Sequence, residues 1–418
     1  MNADAQPPAV EPERRATYGL WEAFGVELEY MIVDQATLDV RPIADAVLRN
    51  DADEVVSDVE RGTVDWSNEL VLHVIELKTA EPAPSLQSLE RHFQHEVVEI
   101  NRRLGPRGAR LMPTAMHPWM SPDREMRLWP HDCGPVYEAF HRIFDCRGHG
   151  WANLQSVHLN LPFRGDRQFG DLHAAVRLVL PLLPALAASS PVVERERTGW
   201  ADNRMEAYRL NARRIPRVSG EVVPEACYTP EEYRRQILRP LYADVAPFDP
   251  GGVLQHEWLN ARGAIARFER STIEIRVLDV QECPAADLAI CRACTRVLQA
   301  LVEGRWSSRE SQQNMPTEQL AEWFRRIVRA ADQSVIDDPA WLACFGLPAT
   351  PLAAGELWQR LCEQTQPAGG EDPVLSQILA HGPLARRIER ALEHDACPLA
   401  EVYRRLCDCL AEGRLFLP

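Results

Sequence analysis

Neither a Gly-x-x-x-x-Gly-Lys-Ser/Thr loop nor a Gly-x-Gly-x-x-Gly turn occurs in the 418 residues, so the glycine-built phosphate cradles are absent. Any phosphate-bearing ligand would then depend on metals held by carboxylates. A surplus of basic charge is missing too: 46 Lys and Arg face 61 Asp and Glu, for a net charge of -15. That balance argues against a general binder of nucleic acid or of an anionic membrane, because those surfaces are gripped by excess Lys and Arg. It leaves room for a small anionic substrate met by local Arg, Lys and metal ions. The most apolar stretch, residues 178–193, is interrupted by Pro181, Pro184 and Pro191 and falls short of a bilayer span. Residues 1–17 show no basic-then-apolar signal pattern and read as a disordered lead-in. Eleven cysteines, an odd number in so long a chain, make no disulfide framework, and a reducing cytoplasm is the compartment that suits them.

What is present is a set of four strand-like stretches with chemistry on one side. In residues 24–34, period-2 alternation puts Val26, Leu28 and Tyr30 on one face and Glu27 and Glu29 on the other. Carboxylates at i and i+2 on a strand lie about 7 Å apart, close enough to face one cluster of cations. Glu76 and Lys78 alternate with Ile75 and Leu77 in the second stretch; His158 and Asn160 alternate with Val157, Leu159 and Leu161 in the third. In the fourth, Glu274 and Arg276 lie opposite Ile273, Ile275 and Val277. An ordinary solvated sheet face carries Thr, Lys, Ser and Gln in no chemical order, whereas these four carry groups that bind metals, phosphates or carboxylates.

Between the strands the patterns predict a short helix over 42–49 and a hairpin rim over 51–64. A helix follows from the N-cap Ser85 to Gly105, with Leu86, Leu89, Phe93, Val97, Ile100 and Leu104 on its apolar face. A buried helix is expected over 171–188 and another over 226–242, with helical patterns alone from Pro284 onward. Residues 112–131 form a Pro- and Trp-rich connection in which His117 and Trp119 are candidates for binding or for plain packing. Residues 194–224 hold Arg195, Arg197, Arg204, Arg209, Arg213, Arg214 and Arg217 in an otherwise acidic protein; they read either as a mobile basic loop able to close over phosphates or as a solvated helix face. His131, Cys133, Cys146 and His149 have the pairs of a zinc site, but with tight spacing and a helical pattern between them, so structural thiols and a substrate-side His149 are the favoured reading. The expected organisation is one catalytic domain over 18–302, with a helical part over 303–418 packed on it.

Gly25-Val26-Glu27-Leu28-Glu29, Ile75-Glu76-Leu77-Lys78-Thr79, Gln155-Ser156-Val157-His158-Leu159-Asn160, Ala188-Ser189-Ser190-Pro191 and Ile273-Glu274-Ile275-Arg276-Val277-Leu278-Asp279 occur in an order and spacing that resembles the second glutamate-cysteine ligase family, the carboxylate-amine ligases. The resemblance covers about residues 18–302. It implies an α+β, glutamine-synthetase-like fold: an antiparallel sheet curved into a half-barrel, with active-site carboxylates on its concave face and helices outside. It implies that Glu27, Glu29, Glu76 and Glu274 hold Mg²⁺, that His158 is a further metal or phosphate contact, that Asn160 orients substrate or metal-bound water, and that Arg276 and Arg204 stand near phosphate or substrate carboxylate. The chain departs from the family's pattern in residues 192–199 and at Ser271, where a Gly commonly precedes the Thr.

The activity so implied is ATP-dependent: the γ-phosphoryl group passes to a substrate carboxylate, and an amine displaces phosphate from the acyl phosphate to give an amide. Glutamate and cysteine would give γ-glutamylcysteine, a step of glutathione biosynthesis. Alternatives are a different carboxylate and amine pair, a guanidino phosphotransferase, or a non-catalytic metabolite-binding protein. The expected partners are small-molecule substrates, with no nucleic acid and no membrane; the resemblance also suggests a homodimer.

Overall fold

The alternation of Val26, Leu28 and Tyr30 with Glu27 and Glu29 opens the first strand, β1 (Gly25–Asp34), which lies at the centre of the sheet. The computed structural model describes residues 18–367, 369–393 and 397–418, and the lead-in expected over 1–17 lies outside them. The other strands are β2 (Asp58–Val59), β3 (Val64–Asn68), β4 (Val74–Thr79), β5 (Ala109–Met112), β6 (Ser156–Pro162), β7 (Ala264–Arg267) and β8 (Thr272–Asp279). Their order is β2-β3-β4-β1-β6-β8-β7, with β5 beside the far end of β1. All pairings are antiparallel. The sheet is open, ending at β2 and β7.

Register decides which side chains meet. Glu27 lies opposite both Lys78 and His158, Glu29 opposite Glu76, and Asn160 opposite both Gly25 and Glu274. Directly opposed residues share a face, so all four functional strands turn their polar residues to one side. The other side is apolar: Val26, Leu28, Tyr30, Ile75, Leu77, Val157, Leu159, Ile273 and Ile275 form a single core with the covering helices. Burying each such side chain contributes about 1.5–3 kcal/mol, which holds the polar face in register.

The principal cover is α1 (Leu86–Leu104), whose N-cap Ser85 accepts a hydrogen bond from the Gln87 N–H and whose buried face is the predicted one. With it pack α2 (Gly165–Val179) and α4 (Pro284–Val302), while α3 (Asn203–Leu210) lies beside the end of β8. The buried helix expected over 171–188 starts six residues earlier. It then breaks into a 3₁₀ turn at Leu180–Leu182 and a short helix at Pro184–Ala187, because Pro181 and Pro184 remove backbone donors. The segment 42–49 shortens to one 3₁₀ turn at Ala44–Ala46. The Arg-rich segment is neither loop nor bare helix: Val192–Val193 and Glu196–Arg197 pair as a hairpin, and α3 follows.

Beyond α4 the chain is mainly helical. Its last two helices, α5 (Leu384–Glu393) and α6 (Leu399–Glu412), join a second core with Met31, Val33, Val74 and Met112. Arg387 and Glu282, both fully buried, form an ion pair there, and Arg387 also donates to the Phe416 carbonyl. Among the described residues, no helix is long and apolar enough to cross a membrane.

Candidate functional site

On the polar face, His158 is held between carboxylates. Its Nδ1 lies 2.7 Å from Glu27 Oε2 and 4.0 Å from Glu274 Oε1, and its Nε2 lies 3.7 Å from Glu29 Oε1. Ser156 fixes Glu29, donating from its N–H at 2.7 Å and its hydroxyl at 3.0 Å. Asn160 donates to Glu27 at 3.3 Å. Ser67 donates to Glu76, and Lys78 Nζ stands 3.9 Å from Glu76 while pairing with Asp58. Glu274 is gripped from both sides, by Arg267 Nη1 at 3.1 Å and Arg276 Nε at 2.8 Å.

The ionisation states follow from these neighbours. Burial alone would lift the Glu27 carboxyl, but the His158 hydrogen bond and charge, with Arg270 and Arg276, outweigh it and hold Glu27 at about 2. Burial opposes charge on His158 too, yet the hydrogen bond to Glu27 and the charge of Glu29 raise it. Two carboxyls move the other way. Burial, then Glu29, pushes Glu69 up to about 7, and burial, then Glu27 and Glu69, pushes Glu76 well above the carboxylate range.

That upward pressure comes first from burial and then from neighbouring negative charge. Oxygens of Glu29, Glu69 and Glu76 lie within 4.8 Å of one another, as do ligand atoms of Glu27, Glu76 and His158. Hard divalent cations with oxygen ligands fit such a cluster and would relieve the crowding. Five of the expected groups, Glu27, Glu29, Glu76, His158 and Glu274, are therefore brought together, with Asn160 and Arg276 against them. Glu69, Arg267 and Ser156 complete the face without having been singled out. Glu69 follows β3 in a connection with no alternation to expose it, and Arg267 lies on the short strand β7; Ser156 adjoined His158 in the motif but looks like ordinary strand polarity.

Arg204 differs from its expected place among the cations near substrate. It is 1% exposed, its Nε pairs with Asp279 Oδ1 at 2.5 Å, and its guanidinium donates to the Arg276 backbone carbonyl. The zinc quartet does not assemble. His131 faces Asp45 and His149 faces Glu194; Cys146 is buried in the second core and Cys133 is exposed, and among the described residues no candidate metal cluster includes them. His117 and Trp119 are packing groups: the His117 ring hydrogen-bonds the Leu38 carbonyl, and Trp119 donates to Asp39 and meets Tyr403 edge-on. The hairpin at 192–197 makes its contacts with Pro118, Trp119 and Glu393 and through Glu194 to His149.

The overall architecture is shared with solved ligases. A glutamate–cysteine ligase from Francisella tularensis in complex with AMP superposes with a TM-score of 0.62 at 12% identity, over 95% of this chain and 90% of that one. A bifunctional glutathione synthetase from Pasteurella multocida gives a TM-score of 0.61 at 15% identity, over 94% of this chain and 53% of that one. What these structures share with the chain is the fold, an open antiparallel sheet under helices. More narrowly, residues 23–368 match the model of glutamate-cysteine ligase family 2, and the chain belongs to that family. An uncharacterized protein of Archaeoglobus fulgidus is 35% identical over 279 residues, 67% of this chain and 74% of that protein. A provisionally named glutamate–cysteine ligase 2 of Bradyrhizobium sp. (strain ORS 278) is 25% identical over 280 residues, and the match spans 65% of this chain and 59% of that relative.

Proposed function

We propose that this chain joins the carboxylate of glutamate to the amine of cysteine at the expense of ATP, through an acyl phosphate. The observation that carries the reading is the single polar face on which five carboxylates and His158 adjoin a flanking pair of guanidinium groups. Glu27, Glu29, Glu69, Glu76, Glu274 and His158 are the groups that would hold Mg²⁺. When bound, the metal supplies positive charge to the oxygens of the transferring phosphoryl group. The protein's own part is positional. Ser156 and Asn160 aim Glu29 and Glu27, and His158 keeps Glu27 ionised. Arg276 and Arg267 fix Glu274 and offer cationic charge on the same face to an anionic substrate.

The chemistry balances in two steps. The substrate carboxylate takes the γ-phosphoryl group and ADP leaves; the amine nitrogen then attacks the acyl carbon, phosphate departs, and the amide forms. A different acid or amine is the second reading, favoured by the departures of residues 192–199 from the family pattern. ADP release from Mg-ATP, offered with glutamate alone and then with glutamate and each of a panel of amines including cysteine, decides between them. Cysteine-dependent release with a matching γ-glutamylcysteine product supports the first reading. Release with another amine in place of cysteine overturns that pair and leaves the ligase chemistry in place.

A further inference from the structure

The fourth functional strand is not regular. Along β8, Ile275 lies opposite Leu159, but the next aligned pair is Leu278 with Val157. Arg276 and Val277 together therefore oppose one residue, His158, which is a β-bulge beside the most crowded part of the site. The extra residue changes the side on which everything after it lies. By plain alternation Asp279 would share the apolar face of Ile275 and Val277; instead it aligns with Ser156 and so falls on the polar face. Room for the bulge is made by Gly263, whose carbonyl accepts from the Arg276 N–H at 2.8 Å and where an added Cβ would come within 2.4 Å of Val277 Cγ1.

A bulge leaves backbone groups without their ladder partners. Here the Arg276 carbonyl is covered by Arg204, whose Nη1 and Nη2 lie 3.2 and 3.3 Å from it. Arg204 is fixed in turn by Asp279, the residue the bulge brings to this side. Asp279 also accepts from the Ser189 N–H at 2.8 Å and the Ser190 hydroxyl at 3.1 Å. We propose that Arg204 and Asp279 form a buried brace that sets the bulge at Arg276 and thereby aims its guanidinium at Glu274. Arg204 is then a positioning residue acting through Arg276, with no contact of its own to substrate. This rests on the ligase reading for its kinetic test.

The test is a cycle of Arg204→Lys, Arg276→Lys and the double variant, measuring kcat for amine-dependent ADP release and the thermal midpoint of each. Lysine keeps the charge but cannot span the carbonyl and Asp279 together. Each single variant is expected to lose about ten- to a hundred-fold in kcat with a cooperative transition retained. The double variant is expected within about three-fold of Arg276→Lys alone, because a brace has nothing left to position. Multiplied losses overturn the proposal, as does an Arg204→Lys enzyme that turns over like wild type. Should Arg204→Lys lack a cooperative transition, the isosteric Asp279→Asn takes its place in the cycle under the same criteria. If the wild-type protein releases ADP with no substrate pair, the reaction reading has failed and the brace is judged on a crystal structure of Arg204→Lys. A displaced Arg276–Glu274 ion pair supports it, and an unmoved one overturns it.

Discussion

Glu27 meets His158 at 2.7 Å and Asn160 at 3.3 Å, and replacing it by Gln changes charge with almost no change of volume. Glu27→Gln is expected to lower turnover by about a hundred-fold or more while the thermal transition stays cooperative; near-normal ADP release would remove Glu27 from the site. Glu69 makes a different prediction. Its carboxyl rises from an ordinary 4.5 to about 7 in the folded protein, so the folded state favours the protonated form. Its contribution to stability is then full below about pH 4.5, falls as the pH rises, and is gone above about 7. The metal-free protein should show a melting temperature that declines across that window. Glu69→Gln should flatten the decline, and Mg²⁺ should raise the melting temperature most at the alkaline end. A metal-free profile that rises between pH 5 and 7 in the wild type, and is unchanged in Glu69→Gln, would contradict the assignment.

At the scale of elements, α1 carries the apolar face of the sheet, and its first turn depends on the Ser85 hydroxyl. Ser85→Ala is expected to cost about 1 kcal/mol, read as a shift of the denaturant midpoint at constant slope, with little effect on turnover. The functional strands and α1 were legible from sequence because their chemistry follows the period of the secondary structure: 2 for Glu27 and Glu29 or His158 and Asn160, and 3.6 for Leu86 through Leu104. Where the period breaks, the reading failed. The bulge between Ile275 and Leu278 shows in the sequence only as the adjacent apolar pair Val277 and Leu278, too short a break to fix the face on which Asp279 falls or its pairing with Arg204. The Arg-rich stretch reads equally as loop or as solvated helix, because α3 is polar over most of its surface. Only Asn203, Arg204 and Met205 are buried in it, leaving no apolar stripe to find.

Across the whole molecule, the helical tail and the sheet are tied by a pair of charges with no solvent contact, Arg387 and Glu282, joined by the Phe416 N–H and carbonyl. Arg387→Leu strands a buried carboxylate and is expected to cost about 3–5 kcal/mol in chemical denaturation at neutral pH. Arg387→Leu combined with Glu282→Leu should recover part of that loss, and a double variant no better than the single would argue that the hydrogen bonds Arg387 donates to the Gly382 and Phe416 carbonyls matter more than the charge. The same pair orders events in time. The two residues are 105 positions apart in the chain, and a chain made from its N-terminus exposes Glu282 well before Arg387 exists. The strands bearing the site can pair in that interval. Burying the Glu282 carboxylate without its partner is unfavourable, so this part of the second core closes only once residue 387 is present, far along the chain from Glu27.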